Sequence, residues 1–100
     1  MDMEITKIAE NGVITLIING RIDTTTAPVL EKEILADVKD NDKLVLDFKD
    51  VEYISSAGLR VLLSSHKIME KKGGMTVKSI NEALEEIFEV TGFSDILNIE

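Results

Sequence analysis

A chain of 100 residues is long enough for one buried core, and 44% apolar residues supply the material for it. With 11 Lys and Arg against 19 Asp and Glu, the net charge is -8, which disfavours nucleic acid and anionic membranes as partners because both select basic footprints. The absence of cysteine removes disulfides, thiolate metal sites and cysteine nucleophiles together.

In chain order, Met3 to Ala9 and Val13 to Ile18 read as a hairpin about Asn11-Gly12, two residues that tolerate positive φ. The second run, Val-Ile-Thr-Leu-Ile-Ile, is apolar almost throughout and predicts a central strand. Asn19 to Thr24 is expected as a loop. Thr25 or Thr26 then caps a helix that has Pro28 in its first turn and sets Ala27, Leu30, Ile34 and Val38 on one face. Lys43 to Phe48 predicts a short strand buried on both faces. After a second loop, a helix is expected from about Ser56 to Lys72, stopped by Gly73-Gly74. Met75 to Ile80 reads as a strand, and Asn81 caps a helix through Val90 with Leu84, Ile87 and Phe88 inward. Asp95 to Ile99 is placed to return to the sheet edge.

No linker, repeat or low-complexity segment divides residues 1–100, so one domain is expected. Its class is α/β: a mixed sheet made of an N-terminal hairpin followed by alternating β-α units, packed against helices, with right-handed crossovers. Functional loops in such sheets gather beyond the carboxyl ends of the parallel strands, here Gly20 to Thr25 and Val51 to Gly58. No basic-then-apolar N-terminal segment marks a signal peptide and no run reaches spanning length. Direct membrane insertion is therefore not expected, and the expected compartment is the cytoplasm.

Catalysis finds little to work with. His66 is the single histidine, and there is no nucleophile elbow, dinucleotide fingerprint or phosphate loop. No metal site and no cofactor are expected. Carboxylate pairs such as Asp47 with Asp50, or Glu85 with Glu86, are the available acid/base partners, and adjacent carboxylates on a helix do not face one another. His66 falls on the inner face of its helix and reads as a half-buried packing residue.

The informative segment is Ser55-Ser56 at the start of the second helix. Either hydroxyl suits an N-cap. Either also suits phosphorylation, because a phosphate there meets the positive end of the helix dipole and adds about -1.5 to -2 charge to the surrounding surface. On the helix that follows, Leu59, Leu62, Leu63, His66 and Met69 share one face. Val61 and Ile68 widen the apolar arc, either as the edge of a deeply set helix or as a strip for a partner.

Tyr53-Ile54-Ser55-Ser56-Ala57-Gly58-Leu59-Arg60-Val61-Leu62-Leu63 resembles the signature of the STAS domain of bacterial anti-sigma factor antagonists. Asn19-Gly20-Arg21-Ile22-Asp23-Thr24-Thr25-Thr26-Ala27-Pro28 is similar to the family's segment entering the first helix. Lys72-Gly73-Gly74 resembles its turn before the next strand, and Ile87-Phe88-Glu89-Val90-Thr91-Gly92-Phe93 its final helix. The resemblance implies partner switching. The unphosphorylated antagonist binds an anti-sigma factor that is also a serine kinase and so releases a sigma factor; phosphorylation ends the complex and a PP2C-type phosphatase resets it. The family's phosphoserine falls on Ser56, with Ser55 the alternative acceptor, and its loop aspartate falls on Asp23. The implied partner-binding residues are Asp23, Thr24, Thr25, Ser55, Ser56, Ala57, Gly58, Leu59 and Val61. Two departures stand out: Ser55 occupies the place of the family's usual aspartate, and Ala57 that of a frequent second hydroxyl. A second reading is a STAS regulatory or scaffold subunit that works without phosphorylation, for example in a lipid-transport or signalling complex.

Overall fold

In the computed structural model, which describes residues 3–100, Asn11 and Gly12 take φ of 51° and 80° and close the hairpin between β1 (Met3–Glu10) and β2 (Val13–Ile22). Then follow α1 (Ala27–Asp37), β3 (Lys43–Ile54), α2 (Ser56–Met69), β4 (Met75–Lys78), α3 (Glu82–Thr91), a 3-10 turn at Phe93–Asp95 and β5 (Asn98–Ile99). The sheet order is β1-β2-β3-β4-β5, with β1 antiparallel to β2 and every later pair parallel. The expected α/β class, the element order and the return of the tail to the sheet edge are all observed.

Each crossover moves one strand further in the same direction, so connections of a single hand lay all the helices on one face of the sheet. Burial follows that geometry. Ile14, Leu16 and Ile18 of β2, Leu44, Leu46 and Phe48 of β3, and Met75 and Val77 of β4 are buried. They form one core with Leu30 and Ile34 of α1, Leu62 and Met69 of α2, and Leu84 and Phe88 of α3. The alternate residues Val13, Thr15, Ile17 and Val45 are only half-buried. The expectation that β3 is buried on both faces is therefore corrected: its run Leu44-Val45-Leu46 is apolar throughout, but helices cover one side alone. The extents of 32 × 31 × 20 Å fit such a pair of layers.

The expected strand ends are also corrected. β2 continues past Ile18 to Ile22, and β3 continues past Phe48 to Ile54. Two register shifts, between Ile17 and Asn19 and between Gly20 and Arg21, each spend one extra residue on β3. Bulges absorb the polar residues that otherwise read as strand breaks. Gly20 sits there with φ 117°, a conformation that glycine adopts without penalty. The two broad loops expected from the sequence shrink to residues 23–26 and to Ser55 alone. At its other end α2 stops at Met69 rather than Lys72, and the Gly74 amide donates to the Met69 carbonyl at 3.0 Å to close the turn.

Where β2 and β3 end, the first turn of α2 crosses them closely. A Cβ on Gly58 would lie 2.6 Å from Ile54 Cγ1 and 2.7 Å from Ile22 Cγ2, both in buried side chains. Packing alone requires glycine here. Gly58→Ala is expected to destabilise the fold by about 1–3 kcal/mol, the usual cost of forcing an extra methyl into a packed core. Chemical denaturation followed by circular dichroism measures it, and an unchanged midpoint would contradict the close seat.

Candidate functional site

The carboxyl ends of β2 and β3 finish side by side, because Ile22 pairs with Ile54 and the Ser55 amide donates to the Ile22 carbonyl at 2.8 Å. The two segments singled out in the sequence are thereby brought together: Asp23-Thr24-Thr25 follows one strand, and Ser55-Ser56-Ala57 follows the other.

The two serines divide their roles. Ser55 is the N-cap of α2, half-buried and extended, and its Oγ accepts from the Gly58 amide at 3.3 Å while its carbonyl accepts from Leu59 at 2.9 Å. Ser56 is the first residue inside the helix and is exposed, and its hydroxyl makes no hydrogen bond among the described residues. Either serine suited the cap by type alone; the backbone assigns it to Ser55 and leaves Ser56 Oγ open to solvent.

The Asp23 loop is held by its own carboxylate. Oδ1 accepts the Thr25 hydroxyl at 2.7 Å, the Thr25 amide at 2.9 Å and the Thr26 amide at 3.0 Å, with the Thr26 Oγ1 3.3 Å away. In return the Thr26 Oγ1 accepts the Asp23 amide at 2.8 Å and donates to the Arg21 carbonyl at 2.8 Å. This corrects the expected cap of α1. Thr26 stands at the N-cap position without a side-chain cap bond, and Asp23 collects the free amides in an Asx turn. The Asp-x-x-Thr spacing carried that signal. Among the described residues no hydrogen bond ends on the other carboxylate oxygen, Oδ2, and Thr24 and Thr25 are exposed.

Of the remaining residues expected to touch a partner, Gly58 and Leu59 lie beneath the surface. Val61 is buried as well, and with Ala57 it forms the wall of a groove of about 330 Å³ between the first turns of α1 and α2. Ala27, Pro28 and Glu31 line one side of that groove, Arg60 and Ser64 the other. The apolar arc of α2 thus divides: Val61 belongs to the core and groove, whereas Ile68 is 38% exposed. Arg60 and the groove were not legible in the sequence, since they depend on how α1 crosses α2. The same holds for Arg21, whose guanidinium stacks 4.5 Å over the Tyr53 ring at the strand ends, where the two residues pair in register.

His66 lies away from these segments, half-buried. Its Nδ1 is enclosed without a hydrogen-bond partner and its Nε2 is 3.9 Å from Glu70. A larger cleft of about 440 Å³ lies between α3 and β5, with Glu85, Glu89 and Glu100 in its lining, and contains none of the residues of the two segments. Among the described residues no group of three or more His, Asp or Glu is arranged to hold a metal ion, and no helix is long and apolar enough to cross a membrane.

Hydrogen bonding from the Thr25 hydroxyl, then from the Thr26 and Thr25 amides, holds the Asp23 carboxyl at about 2, below its ordinary 3.8. The folded value is the lower one, so the loop's contribution to stability is complete above about pH 4 and is lost as the pH falls through 2. A carboxyl-detected NMR titration is expected to find the Asp23 midpoint near 2; a midpoint near 3.8 would show that the turn does not hold in solution.

Comparison with known proteins completes the description. The family model described as STAS domain matches residues 4–100. The anti-sigma-B factor antagonist of Bacillus subtilis is 35% identical over 83 residues, covering 82% of this chain and 76% of the relative. The crystal structure of an anti-sigma factor antagonist from Mycobacterium paratuberculosis superposes with a TM-score of 0.88 at 30% identity, covering 97% of this chain and 84% of that one. The Bacillus cell fate determinant SpoIIAA in its phosphorylated form shares the fold alone, with a TM-score of 0.74 at 11% identity over 98% of this chain and 90% of that one.

Proposed function

The chain belongs to the STAS family, and on that footing we propose that it is an anti-sigma factor antagonist switched by phosphorylation of Ser56. It acts by binding rather than by catalysis. The observation that carries the switch is the division of labour at the start of α2: Ser55 Oγ is committed to the cap, and Ser56 Oγ is exposed and unbonded beside the Asp23 loop and the α1–α2 groove.

In this reading the unphosphorylated surface is read by an anti-sigma factor that is also a serine kinase, in the cytoplasm. Asp23, Thr24, Thr25, Ser56 and Ala57 supply the contacts. Ser55, Gly58, Leu59 and Val61 set their shape from beneath. Transfer of the γ-phosphoryl of ATP forms a P–O bond to Ser56 Oγ, with ADP as leaving group and the serine proton passing to the kinase. The phosphate carries the chain from -8 toward about -10. The switch therefore deepens an existing negative charge. A dianion has to be desolvated against partner groups arranged for a neutral hydroxyl, which costs roughly a few kcal/mol, or about a hundredfold in affinity. Hydrolysis by a PP2C-type phosphatase restores the hydroxyl.

Ser55 in place of the family's usual aspartate favours a second reading, a STAS regulatory or scaffold subunit that is never phosphorylated. Incubation with ATP and the candidate kinase, read by intact mass, separates the two.

Ser56→Asp is expected to weaken binding to the cognate anti-sigma factor about tenfold and phosphoserine about a hundredfold, while Ser56→Ala binds as the native protein does and resists release by ATP. Calorimetric titration measures all three. Equal affinity of the native and phosphoserine forms would overturn the proposal.

A further inference from the structure

The face of the sheet turned away from the helices is uncovered, an unusual state for a sheet whose β2 to β5 strands are all parallel, since such sheets are normally covered on both sides. Register fixes which residues occupy it. Ile8, Thr15, Val45 and Thr76 pair across four strands as one row. On the amino side of that row along β2 and β3 lie Val13 and Lys43, with Glu10 beside them on β1. On the carboxyl side lie Ile17 and Asp47, flanked by Thr6 and Lys78. Ile8 is 48% exposed, and Val13, Ile17 and Val45 are half-buried, whereas Thr76 is buried with its hydroxyl accepting from Asn98 Nδ2 at 2.8 Å, so the open part of the face is β1 to β3.

We propose that this face packs against the same face of a second copy of the chain, about a two-fold axis that lies in the interface and runs along the Ile8–Thr15–Val45–Thr76 row. Such an axis leaves each strand over its own counterpart and reverses its direction. Val45 then meets Val45, Val13 meets Ile17, and Lys43 meets Asp47 of the second copy, twice by symmetry. Lys43 and Asp47 stand two residues to either side of Val45 on the same strand. Neither belongs to the ion pairs found among the described residues, which join Lys7 to Glu33 and Asp37, nor to the 3.9 Å contact of His66 with Glu70. Asp47 is already oriented, because its Oδ1 accepts the Lys49 amide at 3.0 Å.

β-branched residues suit any strand, so Val13, Thr15, Ile17 and Val45 alone would not name an occupant. The self-complementary placement of one cation and one anion about Val45 does. About this axis the strands overlap over residues 6–10, 13–17 and 43–47, and the short β4 and β5 add little. At about 4.8 Å spacing and ~3.3 Å per residue the shared sheet area is on the order of 300 Å² per copy, or about 600 Å² in all, which is the scale of a transient contact. A contact of this size supports a weak, transient dimer held in register by the two Lys43–Asp47 pairs. Ser56 opens the helix α2 of the opposite layer, so both switch sites stay accessible and the dimer is bivalent toward its partner.

Sedimentation equilibrium of the full chain from micromolar to millimolar concentration tests this without any partner, so its outcome is independent of the phosphorylation reading. A monomer–dimer equilibrium is expected. Val45→Glu abolishes it. Lys43→Asp and Asp47→Lys each weaken it about tenfold, and the double exchange restores it. Thermal unfolding of each variant checks that it is folded. A monomer at all concentrations, a dimer indifferent to Val45→Glu, or single exchanges that the double exchange fails to rescue would each overturn the proposal.

Discussion

The close crossing of α2 over the ends of β2 and β3, with Gly58 pressed against Ile22 and Ile54, is the constraint on which the site depends. It fixes where the helix starts, and therefore which serine caps it and which is presented. The Ser55 amide is tied to Ile22, and the Ser55 hydroxyl is tied to the amide of the same Gly58 that the isoleucines hold. Ser56 is left as the first residue free of these obligations. The loop on the neighbouring strand is equally self-sufficient, since Asp23 supplies the acceptor for its own turn and for the free amides before α1. A surface built this way keeps its shape without a partner, which lowers the ordering cost of binding one.

Much of this was legible in the sequence for physical reasons. The order of elements followed from periodicity and from turn residues with special conformations: Asn11 and Gly12 at the hairpin, Asn81 at the α3 cap, where its Oδ1 accepts from Leu84 at 2.9 Å. The segments around Asp23 and Ser56 were legible as chemistry because small hydroxyl residues stood where strands give way to helices. Strand ends were less legible. Asn19-Gly20 and Lys49-Asp50 look like breaks, and only the pairing of β2 with β3 shows that bulges carry the strands through them. The choice between Ser55 and Ser56 was hidden for a related reason: capping depends on one backbone angle, the ψ of 173° at Ser55, and residue type does not report it.

The uncovered side of the sheet shows the same limit from another direction. An apolar run such as Leu44-Val45-Leu46 reads as buried on both faces, yet the common direction of the crossovers places every helix on one side. Two separate surfaces result, one at the strand ends beside the helices and one on the helix-free side of the sheet. The first is the one proposed to respond to charge at Ser56, and the second the one proposed to be held by Lys43 and Asp47. The net charge of -8 suits this division, because it leaves binding to local shape and to particular ion pairs.

The most direct test of the central claim is capture from the native cells with this protein as bait, before and after phosphatase treatment, with the modified residue mapped by mass spectrometry. Phosphate is predicted on Ser56 and absent from Ser55, with recovery of an ATP-binding anti-sigma factor rising when it is removed. Recovery of that factor in equal amount by bait carrying phosphate at Ser56 would contradict the account.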